Sequence, residues 1–97
     1  MAYNTGDAVR VIAGRDSGRL MRVIGIRGEL VLLADGRHRT VEHPKQKNPK
    51  HVTKVETRAD SELALAIRRG ETIRNSELRK DLAAIGQEKA EKDRGGK

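Results

Sequence analysis

The first part of this 97-residue chain reads as a series of short apolar segments separated by turn residues, and the first of them alternates. In residues 8–13, Val9, Val11 and Ala13 fall on one face and Arg10 and Ile12 on the other, the period of a half-buried strand. Residues 20–26 make a second apolar stretch, and Arg27-Gly28 is a turn signal. Residues 29–34 are apolar on both faces, as expected of a central strand in a tightly curled sheet. Asp35-Gly36 predicts a type I′ hairpin, whose two central positions both need positive φ. Residues 37–41 then return as a fourth strand. The pattern breaks at residues 43–51, where two prolines and seven polar or charged residues leave nothing to bury. This segment predicts an extended basic loop, because proline removes a backbone donor and blocks a regular helix or a central strand. Val52 and Val55 predict a closing fifth strand over residues 51–56.

The period then becomes helical. Asp60 or Ser61 is placed to cap a helix carrying Leu63, Ala66 and Ile67, with Gly70 as its stop. Asn75 or Ser76 caps a second helix with Leu78, Leu82 and Ile85 at i, i+4 and i+7, and Gly86 ends it. Helices this short are not stable alone, so both must pack on the strands, on each other or on a partner. Residues 87–97 are charged and predict a disordered tail. The expected organisation is a mainly β unit over 1–58, a helical hairpin appendage over 59–86 and a charged tail over 87–97.

Composition narrows the class. Hydrophobic residues are 35% of the chain, so the core must be small. There is no cysteine, which excludes disulfides and a thiolate metal site. With no visible signal peptide and no apolar run long enough for a bilayer, a cytoplasmic location without membrane contact is expected. The net charge is +7, unevenly placed: residues 1–58 hold 12 Lys and Arg against 6 Asp and Glu, and residues 59–97 hold 9 against 8. A compact basic unit favours phosphate-rich partners, because neutralised phosphates release condensed counterions.

Two constellations fit such a partner. In Gly14-Arg15-Asp16-Ser17-Gly18-Arg19, the glycines supply positive φ and let a phosphate backbone come close. Arg15 and Arg19 offer forked donors that match phosphate, and Asp16 orients an arginine or caps the turn. The stretch lacks the Lys-Ser/Thr ending of a nucleotide-binding loop and leads into a strand. The second constellation is Arg37, Arg39, Lys45, Lys47, Lys50 and Lys54, interrupted only by the acid Glu42, with Gly36 as its turn glycine. Arg37 and Arg39, two apart on a predicted strand, share a face. His38, His43 and His51 have no helix-face spacing and no carboxylate cluster beside them, so no metal or other cofactor is expected. Ser17, Ser61 and Ser76 have no plausible His–acid partner, so neither an enzyme nor a small-molecule substrate is expected. Tyr3 is the one aromatic residue. Base-stacking platforms and aromatic cages are therefore excluded, and binding must rest on phosphates, 2′-hydroxyls and shape, which points to structured RNA.

The order Gly6-Asp7, Val9, Val11, Gly14-x-x-x-Gly18-Arg19, Val23, Ile26 resembles the KOW motif of ribosomal proteins and NusG-type transcription factors. The run Gly-Arg-Asp-x-Gly-Arg, then an apolar strand and Leu-x-x-Asp-Gly, is similar to KOW ribosomal proteins of the large subunit and to small bacterial KOW-domain proteins. The chain departs from many KOW motifs at Leu20-Met21, where a third glycine is common, and at Ser17, where lysine is common. The resemblance implies a small SH3-like barrel of about five strands followed by two short helices. It also implies a ribosome-associated role, with structured RNA, ribosomal RNA above all, as partner and ribosomal proteins beside it. The alternative is a protein-interaction module of the transcription or translation machinery, docking through the helix pair. An exposed stripe of Leu78, Leu82 and Ile85 would favour that alternative.

Overall fold

The computed structural model describes residues 3–55 and 61–95. Five strands run β1 (Ala8–Val11), β2 (Leu20–Arg27), β3 (Leu30–Ala34), β4 (Lys45–Lys47) and β5 (Val52–Lys54), with a 3-10 turn at Pro49–His51 before β5. Two helices follow, α1 (Glu62–Arg68) and α2 (Asn75–Gly95). The strands form one open antiparallel sheet in the order β4-β3-β2-β1-β5. The fold is mainly β, as the alternation predicts.

Strand alternation sorts the apolar residues onto two faces. Val9, Val11, Met21, Val23, Val31, Leu33 and Val52 form one cluster, all nearly inaccessible, with Tyr3 packed against it. Burying a side chain of this size stabilises by about 1.5–3 kcal/mol. The opposite face meets the helices. Ala34 packs with Leu63, Ile67 and Leu78, and Ala8 packs with Leu82 and Ile85. Ile24, the extra residue where the β2–β3 register shifts between Val23 and Gly25, packs against the first of these helix-side clusters.

One buried ion pair fixes the helices to the sheet. Arg22 on β2 donates from Nε to Asp81 Oδ2 at 2.8 Å and from Nη2 to Asp81 Oδ1 at 3.1 Å. Its Nη1 donates to the Gly6 carbonyl at 2.7 Å, and its Nη2 also reaches Ser61 Oγ at 3.2 Å. Ser61 is the cap of α1, with its Oγ accepting from the Ala64 N–H. Gly70, at φ 76°, follows the helix end. The alternative cap Asp60 and the 58/59 boundary lie outside the described residues.

Several elements differ from the sequence expectation. The β2–β3 turn is Gly28-Glu29, one residue later than Arg27-Gly28, because Arg27 pairs with Leu30. Asp35-Gly36 is no type I′ hairpin: Gly36 has φ 80°, but no non-glycine residue among those described has positive φ. Residues 37–41 form a loop and no strand. The fourth strand lies instead at Lys45–Lys47, inside the expected basic loop 43–51, where an edge position tolerates the flanking prolines. The second helix does not stop at Gly86 but continues to Gly95, through residues expected to be disordered. A single glycine costs a helix only about 1 kcal/mol. Its start is set by Arg74, whose N–H donates to Glu77 Oε1 at 2.9 Å, rather than by an Asn75 or Ser76 cap. No helix among the described residues is long and apolar enough to cross a membrane.

Candidate nucleic-acid interface

The turn between β1 and β2 is closed by its own backbone. Gly18 N–H donates to Val11 O at 2.7 Å, and Val11 N–H to Arg19 O at 3.0 Å. Gly14 and Gly18 sit at φ 88° and 92°, which only glycine adopts without strain. Arg10 reaches across from β1 to donate to the Gly18 carbonyl at 2.7 Å.

Inside this turn lies a buried carboxylate. The Asp16 side chain is 2% exposed. Its Oδ1 accepts from Arg19 Nη1 at 2.5 Å. Its Oδ2 accepts from Arg39 Nε at 3.0 Å and Nη2 at 2.9 Å. Burial alone would raise the Asp16 pKa, but the hydrogen bonds and charges of Arg39 and Arg19 outweigh it and hold the carboxyl below its ordinary range. Asp16 therefore does orient an arginine, and two of them: it draws cations from separate loops side by side.

The second loop is built by Asp35. Its Oδ1 accepts from the Arg37 and Arg39 N–H groups, each at 2.9 Å, while its own N–H donates to Arg39 O at 2.9 Å. This knot takes the backbone groups a hairpin strand would need, and it leaves Arg37 exposed while Arg39 turns inward to Asp16. The two arginines do not share a strand face. Burial pushes the Asp35 carboxyl up, and the N–H donors with His38 bring it net below its ordinary value. Gly36 is pressed on the start of α2, where Arg79 Nη1 donates to its carbonyl at 2.7 Å. Asn75 holds the rest of the loop, accepting from Val41 N–H and donating to Glu42, each at 2.8 Å.

The lysines divide. Lys45 and Lys47 pair with Leu33 and Val31 across β3–β4. Directly opposed residues share a sheet face, so their stems run along the edge of the strand core and both are half-buried. The Lys47 ammonium lies over Gly14, where an added Cβ would sit 2.7 Å from Nζ. Arg15 is exposed in the same turn. Lys50 is exposed on the 3-10 turn. Lys54 pairs with Val9 and has its Nζ 3.9 Å from Asp7 Oδ2, beside Arg68 rather than the Gly14 turn.

The structure thus brings together Arg15, Arg19, Arg39 and Lys47, sets Arg37 on the adjoining loop and ties Lys54 elsewhere. Arg79 joins this surface from a helix and was not among the sequence candidates, since an exposed arginine on an amphipathic helix carries no signal of its own. No group of three or more His, Cys, Asp or Glu among the described residues is placed to hold a metal. Neither known protein-family models nor curated proteins give a match to this chain.

Proposed function

We propose that this protein is a non-catalytic binder of structured RNA, ribosomal RNA in the first instance, acting in the cytoplasm beside the translation machinery. The KOW resemblance supplies the expectation. The observation that carries it is the Asp16 clamp: one buried acid holds Arg19 and Arg39 together, with the Lys47 ammonium against the glycine turn. Preset guanidiniums beside a surface with no aromatic platform suit phosphates and RNA shape rather than bases.

The same reading takes the sheet as an SH3-like barrel. The cluster centred on Met21 and Leu33 is almost fully buried, although the helices pack on separate clusters. A flat sheet would leave that face in water. The two edge strands are also joined by only four residues, 48–51, whereas the edges of a flat five-stranded sheet lie roughly 19 Å apart. Both facts support a sheet curled on itself. The exposed stripe that would favour the protein-docking alternative is not present, because Leu78, Leu82 and Ile85 are 0%, 7% and 5% exposed.

The test is the salt dependence of binding to a structured RNA. Neutralising about five phosphates gives a log–log slope near −4, with little dependence on sequence. A flat salt response refutes this mechanism. Sedimentation of the native protein with ribosomal particles tests the ribosomal assignment, and free protein without RNA at the top of the gradient counts against it.

A further inference from the structure

Beside the Asp16 clamp lies a cleft of about 270 Å³ that three elements share. Arg19 comes from the turn just before β2, Arg37 and His38 from the Asp35 loop, and Arg79 from α2, while Leu20 and Leu82 supply an apolar wall. Two of the guanidiniums are fixed by one bond each: Arg19 by Asp16 and Arg79 by the Gly36 carbonyl. Among the described residues, nothing accepts from their Nε or Nη2 groups, nor from the Arg37 guanidinium. The one acid lining the cleft, Asp35, spends Oδ1 on two backbone N–H groups and has Oδ2 3.4 Å from His38 Nδ1. Three arginines at one small concavity repel each other, and an anion relieves that repulsion.

We propose that this cleft seats one nucleotide unit of the bound RNA backbone, with its phosphodiester against Arg19, Arg37 and Arg79 and its ribose on Leu20 and Leu82. The inference rests on the RNA-binding reading and adds α2 to the binding surface. A backbone unit fits better than a free small anion, because the cleft is open and Arg19 belongs both to it and to the clamp. A strand seated in the cleft therefore leads onto Arg39.

The experiment uses the full chain and a fluorescently labelled RNA hairpin, with anisotropy titrations from 50 to 500 mM KCl. One lost phosphate contact flattens the slope by about 0.8, which corresponds to roughly tenfold weaker binding at 50 mM salt and about fourfold at 200 mM. Arg79→Gln and Arg37→Gln should each show this loss, and Arg79→Lys should keep the slope. Arg27→Gln, exposed at the far end of β2, should bind within about twofold of wild type. Should Arg79→Gln melt early for want of its bond to Gly36, Arg37→Gln decides, since its side chain has no partner among the described residues. If the wild type binds while both Gln variants in the cleft match it, the cleft assignment alone is overturned. Equal losses from Arg27→Gln overturn it too, by showing a diffuse field instead of a site. A wild type that binds no RNA overturns the cleft and the RNA reading together.

Discussion

Arg22 and Asp81 are 59 residues apart in sequence and share two charge-assisted hydrogen bonds, with their side chains 4% and 8% exposed. Leaving one charge of such a pair buried without the other costs about 3–5 kcal/mol. Asp81→Ala should therefore lower stability by about that amount in urea unfolding. Arg22→Met with Asp81→Leu should cost less than the two single changes added, because no unpaired charge is left inside. Strict additivity would mean that the pair contributes nothing as a pair.

Two glycines with positive φ should respond unequally to alanine. At Gly18 an added Cβ meets nothing within 4 Å, so backbone strain is the main cost, about 1–2 kcal/mol. At Gly36 the Cβ would lie 2.2 Å from the Asn75 carbonyl oxygen and 3.1 Å from Leu78 Cβ. Gly36→Ala must push the loop off α2 as well, for a total of about 2–5 kcal/mol. Thermal melting checks the order: the Gly36 variant should melt at least 5 °C or so below the Gly18 variant. Equal melting points would show that the loop yields freely.

Asp16 gives stability an acid limb. Its folded-state pKa is lowered, so the folded form holds the proton less tightly than the unfolded chain. The contribution is whole above the unfolded carboxylate value, about 3.9, and is lost as pH falls through the folded value. Wild type should exceed Asp16→Asn in urea midpoint at pH 7, and the gap should narrow towards pH 3. Asp35, shifted the same way, leaves a residual acid limb in the variant. A gap that stays constant from pH 7 to pH 3 would mean that the carboxylate charge is not what stabilises the clamp.

The half-buried lysines separate stem from charge. Lys45→Met with Lys47→Met keeps the apolar stems over Leu33 and Val31, so melting should shift by no more than about 5 °C. Loss of two ammonium groups should flatten the RNA salt slope by about 1.6. Lys50→Gln, fully solvated on its turn, should change stability by less than about 0.5 kcal/mol. Wild-type salt dependence in the double Met variant would remove β4 from the interface.

What the pattern could reveal was set by the range of the interactions. The first three strands were legible because their apolar residues lie close together in sequence, with Val9 and Val11 in alternation and short apolar runs at 20–26 and 29–34. The caps at Ser61 and Gly70 were legible for the same reason. Strand β4 was hidden, because Lys-Gln-Lys at a sheet edge has no apolar periodicity. The Asp35-Gly36 signal misled, since a hairpin turn and an aspartate-capped loop begin with the same dipeptide. What separates them is whether the Arg37 and Arg39 N–H groups meet a strand or the Asp35 carboxylate. Asp16 was legible as a turn acid, and its hold on Arg39 was not, because the two are 23 residues apart in sequence.

The two edges of the sheet bear on how the protein keeps to itself. An unpaired strand edge offers a row of backbone donors and acceptors to any extended chain, and long flat edges of this kind seed aggregation. Here each edge strand is three residues long. Pro44 and Pro49 flank the first, with a lysine at each end of it, and Lys54 closes the second. A chain approaching either edge finds too few partners for a ladder and a positive charge beside them. The cations we propose for an RNA backbone also flank the open sides of the sheet, so an acidic substitution at Lys45 or Lys47 should alter colloidal behaviour as well as the proposed binding.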